Sequence, residues 1–158
     1  MNEQLSAMFI TITSGIVVGV IVFIVGQILT SIWLTPLKQY KELKKEVVYK
    51  LSYYANLYSN VIDLADYSDS DEYVEEFKLA SDDLRKTSCS LKGFAETVSW
   101  FRIGIPNQKT INEAAYLIMM LSNSFFTPYN TSEKHKQNLE NNYTVNEIFK
   151  KLKCYYKK

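Results

Sequence analysis

The sequence predicts an all-α protein in which one N-terminal transmembrane helix continues into a bundle of four helices. Three observations support this prediction. Residues 4–37 contain no charged side chain, later segments repeat their apolar residues with helical spacing, and no alternating strand pattern of useful length occurs. The 158 residues therefore divide into a transmembrane segment, residues 1–36, and a helical domain, residues 37–158.

The uncharged segment is longer and more apolar than a globular domain of this size needs. A helix of this length would measure about 50 Å, more than the roughly 30 Å of a bilayer core, and we place the span itself at residues 6–33. Glu3 is the charged side chain before the segment, whereas Lys38, Lys41, Lys44 and Lys45 follow it. The positive-inside rule therefore predicts a single-pass protein of the inner membrane, with its N-terminus outside and its C-terminal domain in the cytoplasm.

The first helix of the domain is predicted to run from the membrane to residue 58. Pro36 either kinks a continuous helix or begins a new one capped by Thr35, and we favour the continuous helix. One stripe with a single polar member steps along it by three and four residues. Its members are Leu37, Tyr40, Lys44, Val47, Leu51, Tyr54 and Tyr58.

A second helix is predicted over residues 71–101, where apolar residues repeat every seven positions. The repeat comprises Phe77, Leu84, Leu91 and Val98, interleaved with Ala80, Thr87, Phe94 and Phe101. The acidic segment before it, residues 63–76, lacks the spacing and the glycine of a calcium loop, so we interpret it as solvated and expect no metal. A turn is predicted at residues 102–106.

Two capping boxes define the predicted starts of the last two helices. The third helix begins near Asn107, with Thr110 and Glu113 as its box. Residues 127–142 are polar and favour turns, with a short helix at 132–139 as the alternative. Thr144 and Glu147 then form the box that opens the final helix.

Three glycines lie close to one face of the predicted span, at Gly15, Gly19 and Gly26. Because small residues let helix backbones approach each other in lipid, this stripe predicts a homo-oligomer. The alternative is that glycine is simply common in membrane helices.

Polar side chains gather near the cytoplasmic end of the span, at Gln27, Thr30 and Ser31. In an oligomer they form interhelical hydrogen bonds or line a narrow pore, and in the alternative they lie at headgroup depth. The polar residues Asn56, Asn60, Arg85 and Asn123 form a second candidate set. They either line a small-ligand pocket or serve internal hydrogen bonding and helix termination.

Catalytic patterns are scarce. His135 is the single histidine, and neither a glycine-rich phosphate loop nor a CxxC pair occurs. We therefore predict a protein that is not an enzyme and that holds no cofactor. The lysine-rich C-terminus is interpreted as a solvated helix face, with lipid contact as the second interpretation, and we do not expect a nucleic-acid partner.

Four short motifs resemble the outline of a group of small bacterial membrane proteins. They are Pro-Leu at 36–37, Tyr-Tyr-Ala-Asn at 53–56, Ala-Ser-Asp-x-Leu-Arg at 80–85 and Leu-Ser-Asn-Ser-Phe at 121–125. The outline also resembles the accessory membrane proteins of type VI-B CRISPR systems. That resemblance implies a cytosolic HEPN-like helical domain, assembly into an oligomeric membrane pore and a role in phage defence.

HEPN ribonucleases carry an arginine, four to six residues and then a histidine. Residues 130–135 alone approach this pattern, with Asn130 in the position of the arginine and His135 as the histidine. The resemblance therefore implies that nuclease chemistry is lost, and a degenerate ribonuclease that uses His135 with Asn130 is kept as an alternative.

Taken together, these patterns favour an oligomeric membrane effector or accessory protein in antiviral defence, which acts by forming a pore or by perturbing the bilayer. The alternative is a membrane-tethered receptor that binds a nucleotide, a peptide or a partner protein through the four-residue polar set.

Overall fold

The computed structural model describes residues 2–61, 72–98, 103–125 and 131–154, and every regular element within these ranges is helical. The α-helices are α1 (Asn2–Leu29), α2 (Thr35–Tyr53), α3 (Ala55–Ser59), α4 (Glu72–Thr97), α5 (Gln108–Ser124) and α6 (Thr131–Lys151). A π-helical turn, Thr30–Leu34, joins α1 to α2. The all-α prediction is therefore confirmed.

Helices α1 and α2 form one continuous helix through this π turn. The backbone N–H of Thr35 donates to the carbonyl of Thr30, five residues earlier, and the Thr35 hydroxyl donates to the same oxygen at 3.1 Å. A proline inside an α-helix lacks an N–H, and its ring collides with the carbonyl four residues before it. The wider turn gives the Pro36 ring room, so the helix continues. The favoured prediction is confirmed, whereas the alternative that Thr35 caps a new helix is wrong.

One helix in the described part of the chain is long and apolar enough to cross a membrane. It extends over Ser6–Tyr53, and its most apolar 18-residue window has a mean hydropathy of 2.7. None of that window is buried by the rest of the chain. The boundary that we drew after residue 36 falls inside this continuous helix.

The helix predicted to reach residue 58 is interrupted once. Tyr54 has φ −90° and ψ 15°, which ends α2 at Tyr53, and the short helix α3 then resumes over Ala55–Ser59. Tyr40, Val47, Leu51, Tyr54 and Tyr58 of the predicted stripe are buried. The predicted stripe therefore identified the buried side of both α2 and α3, since the two helices turn the same side towards the core.

Helices α2 to α6 pack around a shared apolar core. The seven-residue repeat of α4 supplies much of this core: Phe77, Leu84 and Leu91 are each at most 1% exposed. The helix ends at Thr97, four residues before the predicted end, and residues 99–102 lie outside the described ranges. Phe101 is among them.

Neighbouring helices run in opposite directions, as their hydrogen-bonded pairs show. Ser81 of α4 contacts Ser122 of α5, and Glu96 near the end of α4 accepts a hydrogen bond from Gln108 at the start of α5. Helices α2 and α4 are likewise antiparallel, because Tyr40 stacks on Phe94 whereas Tyr54 bonds to Asp83. Helix α6 is antiparallel to α2 and α3, since the Tyr40 hydroxyl donates to the carbonyl of Leu152 whereas the carbonyl of Tyr58 accepts from Asn141.

The start of α5 is where predicted, but its cap is a different residue. The Asn107 side chain accepts a hydrogen bond from the backbone N–H of Thr110 at 2.7 Å. Glu113 instead pairs with Lys151 at 2.6 Å. The predicted box of Thr110 and Glu113 is therefore wrong, because asparagine is a strong cap three residues earlier.

Helix α6 is much longer than predicted. It covers Thr131–Lys151, including most of the segment that was interpreted as polar and prone to turns. The alternative of a helix at residues 132–139 is therefore correct, although that helix was predicted too short. Thr144 lies inside it, and the Thr144 hydroxyl donates to the carbonyl of Glu140 instead of capping a helix start. The predicted box of Thr144 and Glu147 is therefore wrong.

Candidate functional site

The surface of α1 is free of contacts from the rest of the chain. A Cβ atom built on Gly15, Gly19 or Gly26 would meet nothing within 4 Å. Along the helix these three positions lie within about 40° of one another, so they form one open strip of backbone. The structure thus brings the three predicted glycines onto one uncovered face.

Most hydroxyl groups of α1 bond to their own helix. Thr13 donates to the carbonyl of Phe9 at 2.8 Å, and Thr30 donates to the carbonyl of Gly26 at 2.9 Å. Gln27 and Ser31, by contrast, are exposed and have no side-chain hydrogen bond within the described residues. Among the three predicted pore-lining residues, these two retain donors for a partner outside the chain.

The junction between α1 and the core is fastened by the connection from α4 to α5. The indole N–H of Trp33 donates to the carbonyl of Ile103 at 3.3 Å. Gly104 has φ +83°, and a Cβ built on it would lie 3.2 Å from Cδ1 of Leu37. The positive φ therefore favours glycine here, and a Cβ at this position would also crowd the side chain of Leu37.

Sequence reasoning missed a polar cluster between α2 and α4. Lys50 pairs with Glu46 at 3.0 Å and donates to the carbonyl of Asp83, while the Thr87 hydroxyl donates to Glu46 at 3.3 Å. The Tyr54 hydroxyl donates to a carboxylate oxygen of Asp83 at 3.0 Å. Burial, followed by this hydrogen bond, raises the pKa of Tyr54 to about 12.

Helices α4 and α5 approach closely through small polar residues. The Ser122 hydroxyl donates to the carbonyl of Ser81 at 2.8 Å, and the two hydroxyl oxygens are 2.9 Å apart. The Ser88 hydroxyl donates to the carbonyl of Ala115 at 2.6 Å. All these serines are buried. Their hydrogen bonds are internal, which leaves no free donor for a ligand at this seam.

The predicted polar pocket is split into two exposed pairs. The side-chain amide of Asn60 donates to the Asn56 side chain at 3.2 Å, whereas Arg85 donates to the side chain of Asn123 at 3.2 Å. All four residues are exposed. The first pair joins α3 to Asn60, the residue that follows it, and the second pair bridges α4 and α5, so the four side chains enclose no common cavity.

His135 is exposed on α6, and Asn130 lies outside the described residues. Within the described ranges, no group of three or more histidine, cysteine, aspartate or glutamate side chains is arranged to hold a metal ion.

These features define a helical-bundle protein with one exposed apolar helix that is able to cross a membrane. Comparison with family models, with curated proteins and with solved structures found no match to this chain.

Proposed function

We propose that this protein is an oligomeric membrane effector or accessory factor in antiviral defence. Helix α1 crosses the inner membrane once, with its N-terminus outside. Helices α2–α6, with α2 and α3 counted as one interrupted helix, form a HEPN-like four-helix domain in the cytoplasm. The spans of several copies associate through Gly15, Gly19 and Gly26. Their assembly forms a pore or perturbs the bilayer.

The observation that carries the proposal is the uncovered glycine face of α1. In lipid, helices associate through van der Waals packing and hydrogen bonds, and both favour faces with small residues. The described part of the chain holds no second apolar helix against which α1 could pack, so the proposal takes its partner to be another copy. The unpaired amide of Gln27 supports this reading, because an amide within lipid gains most from a donor or acceptor on a neighbouring helix.

The antiviral role and the HEPN-like fold rest on the motif resemblance described above. The proposed orientation rests on the lysines at the start of α2, which follow the positive-inside rule. The scarcity of catalytic patterns in the sequence favours a mechanical role for the span over a chemical one.

The experiment compares a double variant, Gly15→Leu with Gly19→Leu, with the wild-type chain. The added side chains keep the helices apart, so we expect the wild type to be oligomeric in mild detergent and the variant to be monomeric. Light scattering with size-exclusion chromatography measures the mass. Dye release from liposomes is expected to fall with the oligomer.

The matched control is Val17→Leu, which enlarges a side chain on the opposite face of the same helix. It is expected to keep both the oligomer and the dye release. A wild-type chain that is monomeric in detergent and releases no dye would refute the proposal.

A further inference from the structure

We infer that the end of the core next to α1 binds anionic lipid headgroups and so makes a second contact with the bilayer. We call this end the membrane-proximal face and define it by Trp33, Lys38, Lys41 and Ile103. The inference rests on the proposed insertion of α1. It goes beyond that proposal, because it assigns a lipid class to residues outside the span.

The depth of this face follows from two contacts. The carbonyl of Ile103 accepts the hydrogen bond from Trp33, and Gly104 packs against Leu37. Trp33 stands at the end of the apolar helix, where tryptophan prefers the membrane–water interface. The turn that contains Ile103 therefore lies at the level of the headgroups.

Ile103 presents apolar surface at that level. Its side chain is 56% exposed, while the next apolar residue, Ile105, is buried in the core. In water such exposure is a small cost, but at the boundary between headgroups and acyl chains it is favourable. In this turn Ile105 therefore packs in the core, while the exposed side chain of Ile103 is available to contact the bilayer.

The start of α2 presents cations that form no ion pair within the described ranges. Lys38, Lys41 and Lys45 are exposed on one side of the helix, and none of them forms an ion pair with a described residue. Glu42 is the acid beside them. Counted along the helix from Trp33, the three lysines lie at about 7, 12 and 18 Å. Attraction to an anionic surface decays within about 8 Å at physiological salt, so Lys38 contributes most and Lys45 least.

Acidic side chains from the other helices at this end already have partners. Glu113 pairs with Lys151 at 2.6 Å, and Glu96 accepts hydrogen bonds from Gln108 at 2.8 Å and from Asn112 at 2.9 Å. Glu113 is thus neutralised by a cation, whereas Glu96 keeps its negative charge because its donors are neutral amides. Lys38 and Lys41, the cations nearest to Trp33, supply the attraction to an anionic surface.

The test measures the depth and the lipid neighbours of Ile103 in the full-length chain. Ile103→Cys, in a background of Cys89→Ser and Cys154→Ala, is labelled with an environment-sensitive dye and reconstituted in phosphatidylcholine vesicles with about a third phosphatidylglycerol. A doxyl quencher near the headgroup is placed on either lipid. We expect strong quenching, about twofold stronger when the quencher is on phosphatidylglycerol.

Two control sites separate this inference from the proposed insertion. Tyr116→Cys, at a side chain that is 65% exposed further along α5, is expected to remain unquenched. Val20→Cys, in the middle of α1, is expected to be quenched by a doxyl group deep in the acyl chains. Absence of quenching at residue 20 would refute the insertion of α1, whereas quenching at residue 20 but not at residue 103 would refute this inference alone.

Two lysine variants test the charge. Lys38→Gln is expected to remove most of the preference for phosphatidylglycerol at residue 103, while Lys45→Gln, on the same side of the same helix, leaves it unchanged. Equal quenching by the two lipids, or equal effects of the two variants, would overturn the inference. Binding of a labelled RNA oligonucleotide that depends on Lys38, without any lipid preference, would assign the lysine to nucleic acid instead.

Discussion

Helix α6 ends on a lysine in the left-handed region, a conformation in which glycine is the usual residue. Lys153 has φ 54°. Its N–H bonds to the carbonyl of Lys150, and the N–H of Cys154 bonds to the carbonyl of Phe149 at 2.7 Å. This is the hydrogen-bond pattern of a Schellman motif. A side chain at this position costs conformational free energy that glycine would not.

We expect Lys153→Gly to raise the free energy of unfolding by about 0.5 to 1 kcal/mol. The strain energy removed from the folded chain exceeds the free energy that the added flexibility of glycine contributes to the unfolded chain. Denaturant unfolding of the full chain in detergent, followed by near-UV circular dichroism, measures the change. Lys153→Ala removes the same charge but keeps the backbone strain, so it should not raise the free energy of unfolding. A destabilised glycine variant would contradict this account.

The buried phenol of Tyr54 makes stability depend on alkaline pH. Its pKa is raised to about 12, first by burial and then by the hydrogen bond to Asp83. The unfolded phenol ionises near pH 10. A raised pKa means that the contribution is fully present below about pH 10 and is lost as the pH rises towards 12.

We therefore expect Tyr54→Phe to lose about 1 kcal/mol of unfolding free energy at neutral pH, since the bond to Asp83 is gone. Between about pH 10 and 12 the variant should lose stability less steeply than the wild type. Urea unfolding at a series of pH values measures both effects. Tyr53→Phe, at a ring that is 66% exposed, is the control and should follow the wild-type curve.

At the scale of elements, the polar first half of α6 is helical because its amide side chains serve another segment. Asn141, only 2% exposed, donates to the carbonyl of Tyr58 at 3.0 Å. Asn138 accepts the backbone N–H of Val61 at 3.0 Å. These bonds satisfy backbone groups just where α3 ends, and a helix end without such partners would be costly to bury. Tertiary hydrogen bonds thus outweigh the weak helix propensity of asparagine.

Replacing Asn141 with alanine should cost about 1 to 3 kcal/mol, because the carbonyl of Tyr58 would be buried without a donor. Thermal unfolding of the full chain is the measurement. Asn142→Ala removes a neighbouring amide whose hydrogen bond from Ser59 of α3 is exposed to solvent, and it should change stability by less than about 0.5 kcal/mol. Equal losses from the two variants would show that the buried bond is not what holds α3 to α6.

At the scale of the whole molecule, α1 is coupled to the core at more than one place. The helix passes from α1 into α2 without a break, and Trp33 holds the turn between α4 and α5. Helix α6 also ends against α2, through the hydrogen bond from Tyr40. A face of α1 therefore keeps a defined direction relative to the core. In the proposed oligomer, association through the glycines would fix which surfaces of the cores face one another.

Periodicity and composition predicted much of this architecture. The uncharged segment predicted an apolar helix. The seven-residue repeat predicted the buried side of α4, because helical spacing places such residues on one face. The glycines at 15, 19 and 26 could be placed on one strip for the same reason. Gln27 could likewise be identified, since a polar amide within an apolar run is visible in the sequence itself.

The tertiary structure decided what depends on partners distant in the sequence. Asn107 caps α5 in place of Thr110, and Asn141 bonds to the end of α3 from a segment for which composition favoured turns, with a short helix as the alternative. The cluster of Glu46, Tyr54 and Asp83 brings together residues from two helices, and no local pattern marks it. By itself the sequence determined where the chain is apolar and with what period. Which polar groups meet was decided by packing, because a hydrogen bond depends on the position of both its partners.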